Sequence, residues 1–410
     1  MQKKLKVLVS AYACESGKGS EPGVGWNWVK QISRFHEVWV ITRSSNSESI
    51  EQGKSEVSSN IHWVYYDYPR WFRFWKKGQR GVHLYYYLWQ IAVYFMARRM
   101  HKEINFDIVH HLTFGVYWLP SFLSLLPTTF IYGPLGGAET TPREFYRSFG
   151  VKGKIYERLR NTARWVGEKD PFVLLSIRRA KLVLAKVRET GDRLSVLGAK
   201  QVQVYPESGI SIEEINKLTI RKPKETMNFR IISIGRLLHW KGFHLGLKAF
   251  SRLLSEFPSS EYWIIGAGPE LKNLELLAKG LGIEQNVKFF SELPRDGVLK
   301  KLSRCDVLVH PSLHDSGGWV CLEAMAIGKP VLCLDLGGPS MQVTEETGFK
   351  LLARSPEQSI DDLTNAMISL ANDSSLGERM GNAARKRVLE YFDWDKKGEW
   401  INKIYQESVI

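Results

Sequence analysis

The sequence predicts an α/β protein with two domains, each a parallel β-sheet covered by helices. Its 410 residues suffice for two domains of about 200 residues each. Strand-like and helix-like segments alternate in two blocks, from residue 4 to residue 132 and from residue 229 to about residue 387. Since parallel strands are joined by helical crossovers, this alternation favours helix-covered parallel sheets.

The first block holds five apolar strand-like runs and two longer helix-like runs. The strands are expected at Lys4–Ser10, Glu37–Thr42, Ile61–Tyr66, Asp107–His111 and Thr128–Tyr132, and the helices at Gly23–Ser33 and Leu84–Lys102. The second block repeats strand–helix units, and the polar Lys217–Thr226 run predicts a linker before it. We therefore expect the domains at residues 1–215 and 216–392.

Composition is that of a globular protein. Hydrophobic residues make up 44% of the chain and charged residues 24%, which disfavours disorder. The four cysteines show no Cys-x-x-Cys spacing and mostly lie in apolar segments, so we expect core thiols in a reducing compartment and no metal cluster. The short apolar run at the start passes into a glycine-rich segment, as a first strand would, so we expect a cytoplasmic protein.

Positive charge is concentrated in the N-terminal half. Residues 1–215 hold 31 Lys and Arg against 19 Asp and Glu, whereas residues 216–410 hold 26 against 24. A one-sided excess indicates a surface that meets an anionic partner, such as a membrane leaflet, a lipid diphosphate or a nucleic acid.

The most informative stretch is residues 310–330. A buried strand is expected at Asp306–Pro311, a break at residues 316–318 and a helix over Trp319–Ile327. Asp315 and Glu323 stand on either side of the break, separated by seven residues. Because free backbone amides and the positive end of a helix face the turn, an anionic ligand is favoured there.

At these residues the chain resembles the family-4 retaining glycosyltransferases of GT-B fold, whose signature is Glu, seven residues, Glu. Asp315 stands here in place of the first Glu. The segments 231–242 and 263–270 resemble the family's preceding strands and their Gly-Arg-Leu, Lys-Gly and Gly-x-Gly turns, and the match is nearly continuous over residues 229–353. The resemblance implies two Rossmann-like domains facing a central cleft, with the last segment, residues 393–410, crossing back onto the N-terminal domain.

It also implies a donor site. The family's second acid binds the ribose of a UDP- or GDP-linked sugar, which assigns that role to Glu323, while Asp315 would contact the transferred sugar. Gly317 and Gly318 would let the backbone approach the donor because they lack Cβ, with Trp319 beside them. The nucleotide sugar is a substrate, so no cofactor is expected.

Two cations are expected at the leaving diphosphate. Arg236 and Lys241 follow a predicted buried strand and Gly235, and α/β sheets bind ligands at the carboxyl ends of their strands. Negative charge grows on the diphosphate as it departs, and fixed cations there would stabilise it without a metal ion. A solvated surface pair is the alternative.

A glycine-rich loop follows the first predicted strand. Its spacing is not Gly-x-Gly-x-x-Gly, because Pro22 occupies the third glycine position, so a dinucleotide site is disfavoured. The loop resembles the GT-B loop that approaches donor diphosphate and acceptor, which assigns Gly23 to the donor and Glu21 to an acceptor hydroxyl. Glu139 is the second acceptor candidate.

The catalytic histidine has two candidates. His110 and His111 end a predicted strand, and adjacent strand residues point to opposite faces, so at most one is expected to enter the cleft. Other family members carry this histidine after the next strand, where the chain has none at 131–137. A core histidine is the alternative for either residue.

Residues 68–80 interleave aromatic and basic side chains, and residues 84–97 then run uncharged for 14 positions, too few for a membrane-spanning helix of about 20 residues. Docking at an anionic membrane interface fits this pattern. Single-stranded nucleic acid could use the same chemistry, although nucleic acid is not the expected partner, and an ordinary covered helix is the third interpretation.

The sequence thus predicts a metal-independent glycosyltransferase that moves a hexose-type sugar to a lipid-linked or membrane-proximal glycan acceptor, peripheral at the inner face of a bacterial cell membrane. The alternatives are a GT-B transferase with a soluble acceptor and a non-catalytic lipid- or polysaccharide-binding protein. Asp393-Trp-Asp395 spells the Asp-x-Asp of metal-dependent transferases, but its place before the last helix favours helix capping.

Overall fold

The computed structural model describes residues 3–76, 78, 80–219 and 228–409, with the side chains of 217–219 excepted. It divides into two compact units. The first comprises Met1–Ala138, Arg160–Glu207 and Trp394–Ile410, and the second comprises Glu139–Leu159 and Ser208–Asp393.

The β-strands are β1 Lys6–Ala11, β2 Glu37–Thr42, β3 Ile61–Tyr65, β4 Ile108–Thr113, β5 Thr129–Leu135, β6 Leu182–Ala185, β7 Val202–Val204, β8 Arg230–Ile234, β9 Glu261–Ile265, β10 Val287–Phe290, β11 Val307–His310, β12 Val331–Leu334 and β13 Gly348–Leu351. The α-helices are α1 Ser20–Ser33, α2 Ser47–Gly53, α3 Val82–Ile104, α4 Val151–Gly167, α5 Pro171–Arg179, α6 Arg188–Val196, α7 Ile212–Thr219, α8 Phe243–Leu253, α9 Leu271–Gly280, α10 Arg295–Leu302, α11 Trp319–Ala326, α12 Gly337–Gln342, α13 Pro356–Asn372, α14 Ser374–Arg387 and α15 Trp394–Ser408.

Each unit contains one parallel sheet. The first has the strand order β3-β2-β1-β4-β5-β6-β7, and the second has the order β10-β9-β8-β11-β12-β13. All neighbouring strands in both sheets are parallel. The order reverses between β1 and β4 in one sheet and between β8 and β11 in the other, and ligands of such sheets bind at this switch point.

The strands form where short apolar runs are buried on both faces. Every residue of β4, β6, β11 and β12 is buried. In the second unit, Ile231 and Val309 belong to one apolar cluster, while their neighbours Ile232 and Leu308 belong to another. This alternation places helices against both sides of the sheet, as parallel sheets require.

The predicted α/β architecture is confirmed, and the element bounds agree closely with the sequence prediction. Helix α1 begins at Ser20 and not at Gly23. The predicted linker falls partly on α7, and residues 220–227 lie outside the described part of the chain. The predicted boundary at 215/216 stays a prediction, while the division into units places 139–159 and 208–215 with the second unit.

Helix α3 covers the uncharged run expected from the sequence. It spans 23 residues and ends in a cap at Asn105, whose φ of 57° is left-handed. Among the helices of the described residues, none combines the length and the apolar character needed to cross a bilayer.

Helix α15 packs on α1 within the first unit, and the expected crossing of residues 393–410 onto an N-terminal domain stays a prediction. Asp395 lies in its first turn and accepts hydrogen bonds from Arg34 at 2.8 Å and from Gln31 at 3.1 Å. The acid therefore has a structural role at the helix start.

The same helix buries a lysine. Lys397 is 0% exposed, donates from Nζ to the carbonyl of Pro206 at 2.7 Å, and lies 4.2 Å from the ring centre of Tyr205. Burial lowers the pKa of Lys397 to about 7, although the Glu207 carboxylate opposes the shift. The unfolded lysine keeps its proton up to about pH 10.4.

We expect Lys397→Met to remove part of the pH dependence of stability. Above about pH 7 the unfolded chain binds more protons at this residue than the folded chain, so stability rises with pH. From pH 7 to pH 9 the free energy of unfolding of the wild type should rise by about 2 kcal/mol relative to the variant. Urea denaturation at several pH values measures this difference.

Lys403→Met is the matched control, because Lys403 lies on the same helix and its side chain is 75% exposed. Parallel pH curves for the wild type and Lys397→Met would contradict the assignment.

Candidate functional site

The candidate site in the second unit lies at the switch point of its sheet, where the loops after β8 and β11 leave the strands. The two loops approach each other at Gly242, whose φ is +70°; a Cβ there would lie 1.9 Å from the carbonyl oxygen of Pro311. Only glycine fits, so the Lys-Gly pair at 241–242 fixes the position of Lys241 beside the second loop.

Asp315 connects these loops. Its Oδ2 accepts hydrogen bonds from Lys241 Nζ at 2.5 Å and from His310 Nε2 at 3.1 Å. Its Oδ1 accepts from the backbone amides of Gly317 at 3.1 Å and Gly318 at 3.3 Å. The carboxylate thus receives four hydrogen bonds from residues on both loops.

The electrostatics follow from these contacts. Burial alone would raise the pKa of Asp315, but the Lys241 charge and the His310 hydrogen bond hold it well below its usual range. Burial lowers the pKa of His310, against the effect of Asp315. At neutral pH the carboxylate is ionised and can only accept hydrogen bonds, and the imidazole is neutral.

The glycine turn is held in place from the other side too. The carbonyl of Gly317 accepts from Ser208 Oγ and from Gln342 Nε2, both at 2.7 Å. Gly318 is the N-cap of α11 with a φ of 58°, and a Cβ there would lie 2.8 Å from the Gln342 side chain. The amides of Gly317 and Gly318, expected to be free for a ligand, are engaged here by Asp315.

Glu323 lies on α11, partly covered, with 14% of its side chain exposed. Its Oε1 accepts from Arg295 Nε at 3.0 Å, and the same guanidinium donates to Glu214 at 2.8 Å. Burial raises the pKa of Glu323, while the charge and hydrogen bond of Arg295 oppose the shift.

The other predicted donor residues of this unit flank the same loops. Gly235 follows β8 in a conformation with φ +150°, and Arg236 after it is exposed. Trp319 is the first residue of α11 and is partly buried. The structure therefore brings Lys241 to Asp315, whereas Glu323 is paired with Arg295.

A segment distant in sequence fixes both loops. Glu157 on α4 is 0% exposed, and its Oε1 lies 3.2 Å from His239 Nε2 and 3.1 Å from His314 Nε2. His239 belongs to the loop after β8 and His314 to the loop after β11. Gly153 allows the helix to approach, because a Cβ there would lie 3.0 Å from the His239 ring.

In the first unit the predicted residues lie at the corresponding switch point. Glu21 Oε1 accepts from the amide of Gly115 at 3.0 Å, which joins the first turn of α1 to the loop after β4. Gly23 packs so closely that a Cβ would lie 2.0 Å from the carbonyl oxygen of Lys18. Glu139, the other acceptor candidate, is buried in the second unit and is 5% exposed.

Both candidate histidines are buried in β4. His110 has a short contact from each ring nitrogen, 2.6 Å to the Tyr405 hydroxyl and 2.6 Å to the Gly133 carbonyl. His111 Nε2 lies 3.2 Å from the Tyr86 hydroxyl. Burial lowers the pKa of His110 to about 4 and of His111 to about 3, so both rings are neutral at pH 7. These contacts favour a structural role for His110, and a catalytic His111 stays a prediction.

No group of three or more His, Cys, Asp or Glu side chains able to hold a metal ion occurs among the residues that the structure describes. The four cysteines are free and buried, as expected from their apolar surroundings.

Comparison with known proteins identifies the family. Residues 215–387 match the family model described as glycosyl transferases group 1. The chain is 30% identical over 329 residues to the D-inositol 3-phosphate glycosyltransferase of Kribbella flavida, which covers 76% of this chain and 74% of that protein. The protein therefore belongs to the group 1 glycosyltransferase family.

Other relatives match in part. A GDP-mannose-dependent monoacylated alpha-(1-6)-phosphatidylinositol monomannoside mannosyltransferase of Corynebacterium glutamicum is 30% identical over 180 residues, covering 42% of this chain and 46% of that protein. The chain spans about half the length of several further curated relatives, from 42% to 52%.

Solved structures share the fold. The Anabaena protein HepE, in complex with UDP and glucose, superposes with a TM-score of 0.64 at 18% identity, covering 98% of this chain and 100% of that one. A sucrose-phosphate synthase from Thermosynechococcus elongatus gives 0.65 at 16% identity, covering 98% and 99%. The expected GT-B fold of two Rossmann-like domains is confirmed.

Sequence reasoning missed several residues of the site. His310 could have been found, since it is a polar residue at the end of a strand that leads into the motif. Arg295, Glu214 and Glu157 could not, because each reaches the site only through tertiary packing.

We expect Glu157→Gln to lower the free energy of unfolding by about 1–3 kcal/mol, because His239 and the buried His314 would lose their charged acceptor. Urea denaturation measures the change. Glu144→Gln, at an exposed position of the same segment, is the control and should leave stability unchanged. Equal stability of both variants would show that the carboxylate does not anchor the loops.

Proposed function

We propose that this protein is a retaining, metal-independent glycosyltransferase of the family-4 type that uses a nucleoside diphosphate sugar. The observation that carries the proposal is the pair of acids at the switch point of the second sheet, Asp315 before the glycine turn and Glu323 after it, with Lys241 on the facing loop. The likeness in fold to a protein solved with UDP and glucose supports this donor class.

In this proposal Glu323 binds the ribose. Arg295 occupies one carboxylate oxygen and orients the group, and we assign the other oxygen to a ribose hydroxyl. A carboxylate held in this way is a preorganised acceptor, so its hydrogen bond to the ligand is charge-assisted.

Asp315 contacts the transferred sugar. Because its pKa is held well below the usual range, it is ionised and can only accept hydrogen bonds, so a sugar hydroxyl donates to it in place of one of its present donors. Asp is one methylene shorter than the Glu usual in the resembled family, so the sugar lies closer to the loop backbone at 317–318.

Lys241 and Arg236 stabilise the leaving diphosphate. Lys241 is preorganised by Asp315, and Arg236 is exposed at the end of β8, where an arriving anion meets it. The bond from the anomeric carbon to the phosphate oxygen breaks, the acceptor oxygen bonds to that carbon from the same side, and its proton passes to the departing phosphate. No protein base is required for this step.

We propose a lipid-linked or membrane-proximal acceptor at the inner face of a bacterial membrane, in surface polysaccharide synthesis. Its support is the net positive charge of residues 1–215 and the exposed Trp71 and Phe74, at 76% and 75%, in the aromatic-basic run. A relative named for a phosphatidylinositol mannoside acceptor agrees with this class. Lys77, in the same run, lies outside the described residues.

A soluble anionic acceptor is the second candidate, favoured by the relative named for D-inositol 3-phosphate. The positive charge of residues 1–215 would also attract such an acceptor. Binding to anionic vesicles distinguishes the membrane proposal from this one, and hydrolysis of a sugar donor distinguishes both from a non-catalytic binding protein.

We expect Glu323→Gln to weaken nucleoside diphosphate binding by about 10- to 150-fold, because a charge-assisted hydrogen bond contributes roughly 1.5–3 kcal/mol. Calorimetric titration with UDP and with GDP measures the effect and identifies the base. Glu214→Gln is the control, since it removes the other carboxylate on Arg295. Unchanged affinity in Glu323→Gln, or an equal loss in both variants, would remove the ribose assignment.

We expect Arg236→Ala and Lys241→Ala each to lower turnover about 100- to 1,000-fold at saturating donor, the range for losing one preorganised group at a developing charge. Lys272→Ala, at an exposed position on α9, should leave turnover unchanged. Turnover should also persist in EDTA. Near-normal turnover in both arginine and lysine variants would exclude the leaving-group role.

A further inference from the structure

Helix α4 buries polar and small residues and exposes apolar ones. Glu157 and Gly153 are buried, whereas Val151, Ile155 and Leu159 are 74%, 51% and 65% exposed. At about 100° per residue these three apolar positions fall within an arc of about 80° on one face. An ordinary surface helix instead buries its apolar face and exposes its polar face.

The polar face of α4 is fixed by contacts that its first half, residues 151–159, makes within the second unit. Glu157 binds His239 and His314, and Tyr156 stacks on Trp240 with ring centres 4.8 Å apart. These contacts determine which face is turned to the protein. The exposure of the apolar face therefore does not arise from a loosely placed helix.

Cations border the apolar arc. Lys152 and Arg158 are exposed, Lys154 is half-buried, and helical spacing places all three beside the arc. The only acidic residue between Val151 and Gly167 is Glu157, which is buried. An apolar stripe flanked by cations, with no exposed carboxylate on the helix, is the pattern of an interfacial helix on anionic lipid.

We propose that α4 docks on an anionic membrane surface, with Val151, Ile155 and Leu159 inserted at the acyl boundary and Lys152 and Lys154 at the phosphates. The inference deepens the proposed membrane-proximal function, on which it rests, by naming the contact surface and its lipid class. Because Glu157 on the same helix holds both loops of the donor site, the docked helix would set the donor site directly above the lipid.

A second copy of the chain fits this helix less well. Two α4 helices packed stripe to stripe would bring their flanking lysines and arginines together with no exposed acid on either helix to pair with them. Like charges in contact oppose such a dimer, whereas lipid phosphates neutralise them.

The test uses the full-length protein and vesicles of phosphatidylcholine with or without 30% phosphatidylglycerol (about one lipid in three, to give the leaflet a clear negative charge). Val151→Gln/Ile155→Gln/Leu159→Gln keeps helix propensity and removes the stripe. We expect the wild type to co-sediment with anionic vesicles and the triple variant to bind at least about 10-fold more weakly, since three apolar insertions are lost. The control triple, Val196→Gln/Leu276→Gln/Leu352→Gln, changes exposed apolar residues elsewhere and should bind as wild type.

A site-specific probe locates the contact. All four native cysteines are buried, so Ile155→Cys can be labelled alone with an environment-sensitive fluorophore. We expect a blue shift with anionic vesicles that is reversed by high salt, and no shift for the same label at Leu276→Cys on α9.

The outcomes separate this inference from the proposed function. The α4 inference is overturned if the wild type co-sediments with neither vesicle type. It is also overturned if Trp71→Ser/Phe74→Ser abolishes co-sedimentation while the α4 triple variant still co-sediments as wild type. A concentration-dependent shift of the 155 label without lipid would instead indicate self-association and also overturn it. A UDP-induced rise in melting temperature in the triple variant reports the donor site independently of any membrane result.

Discussion

The Asp315 carboxylate is the group on which the candidate site depends, because it is the point where the two switch-point loops are held together. It takes hydrogen bonds from Lys241, from His310 and from two amides of its own turn. A carboxylate with only 18% of its side chain exposed is costly unless it is hydrogen-bonded, and here a cation and a glycine turn surround it. The loops are thereby fixed before any ligand arrives, and the cation assigned to the leaving group is already in position.

The sequence predicted the sheets well because parallel strands are buried on both faces and read as continuous apolar runs, as in β2 and β4. It also predicted that Asp315 precedes the glycine turn and that Glu323 lies on the helix after it, since their spacing is local to one strand, turn and helix. It could not locate Arg295, which follows Pro294 without any periodic signal and reaches Glu323 only in the folded chain. The sequence also could not predict the charge state of each acid, because the pKa of each carboxyl group depends on partners that only the folded chain brings near it.

Glu157 shows the same limit over a longer distance. It stands in a segment that reads as part of the N-terminal half, yet its carboxylate binds histidines of the second unit's loops, at a separation of 157 residues from His314. In the sequence analysis, the lysines and arginines of α4 counted only toward the positive excess of residues 1–215. The fold determines which face of α4 is buried. Because Glu157 is buried, Ile155 on the opposite face is exposed, and the basic helix therefore has an exposed apolar face.

These two carboxylates bind the same pair of loops. Asp315 joins the loops through Lys241, while Glu157 joins them through His239 and His314. Because Glu157 is fully buried, a displacement of α4 would strain hydrogen bonds that water cannot replace, and the loops would have to follow. The position of α4 and the geometry of the two loops are therefore coupled, so a surface that binds the helix would also fix the loops that we assign to the sugar donor.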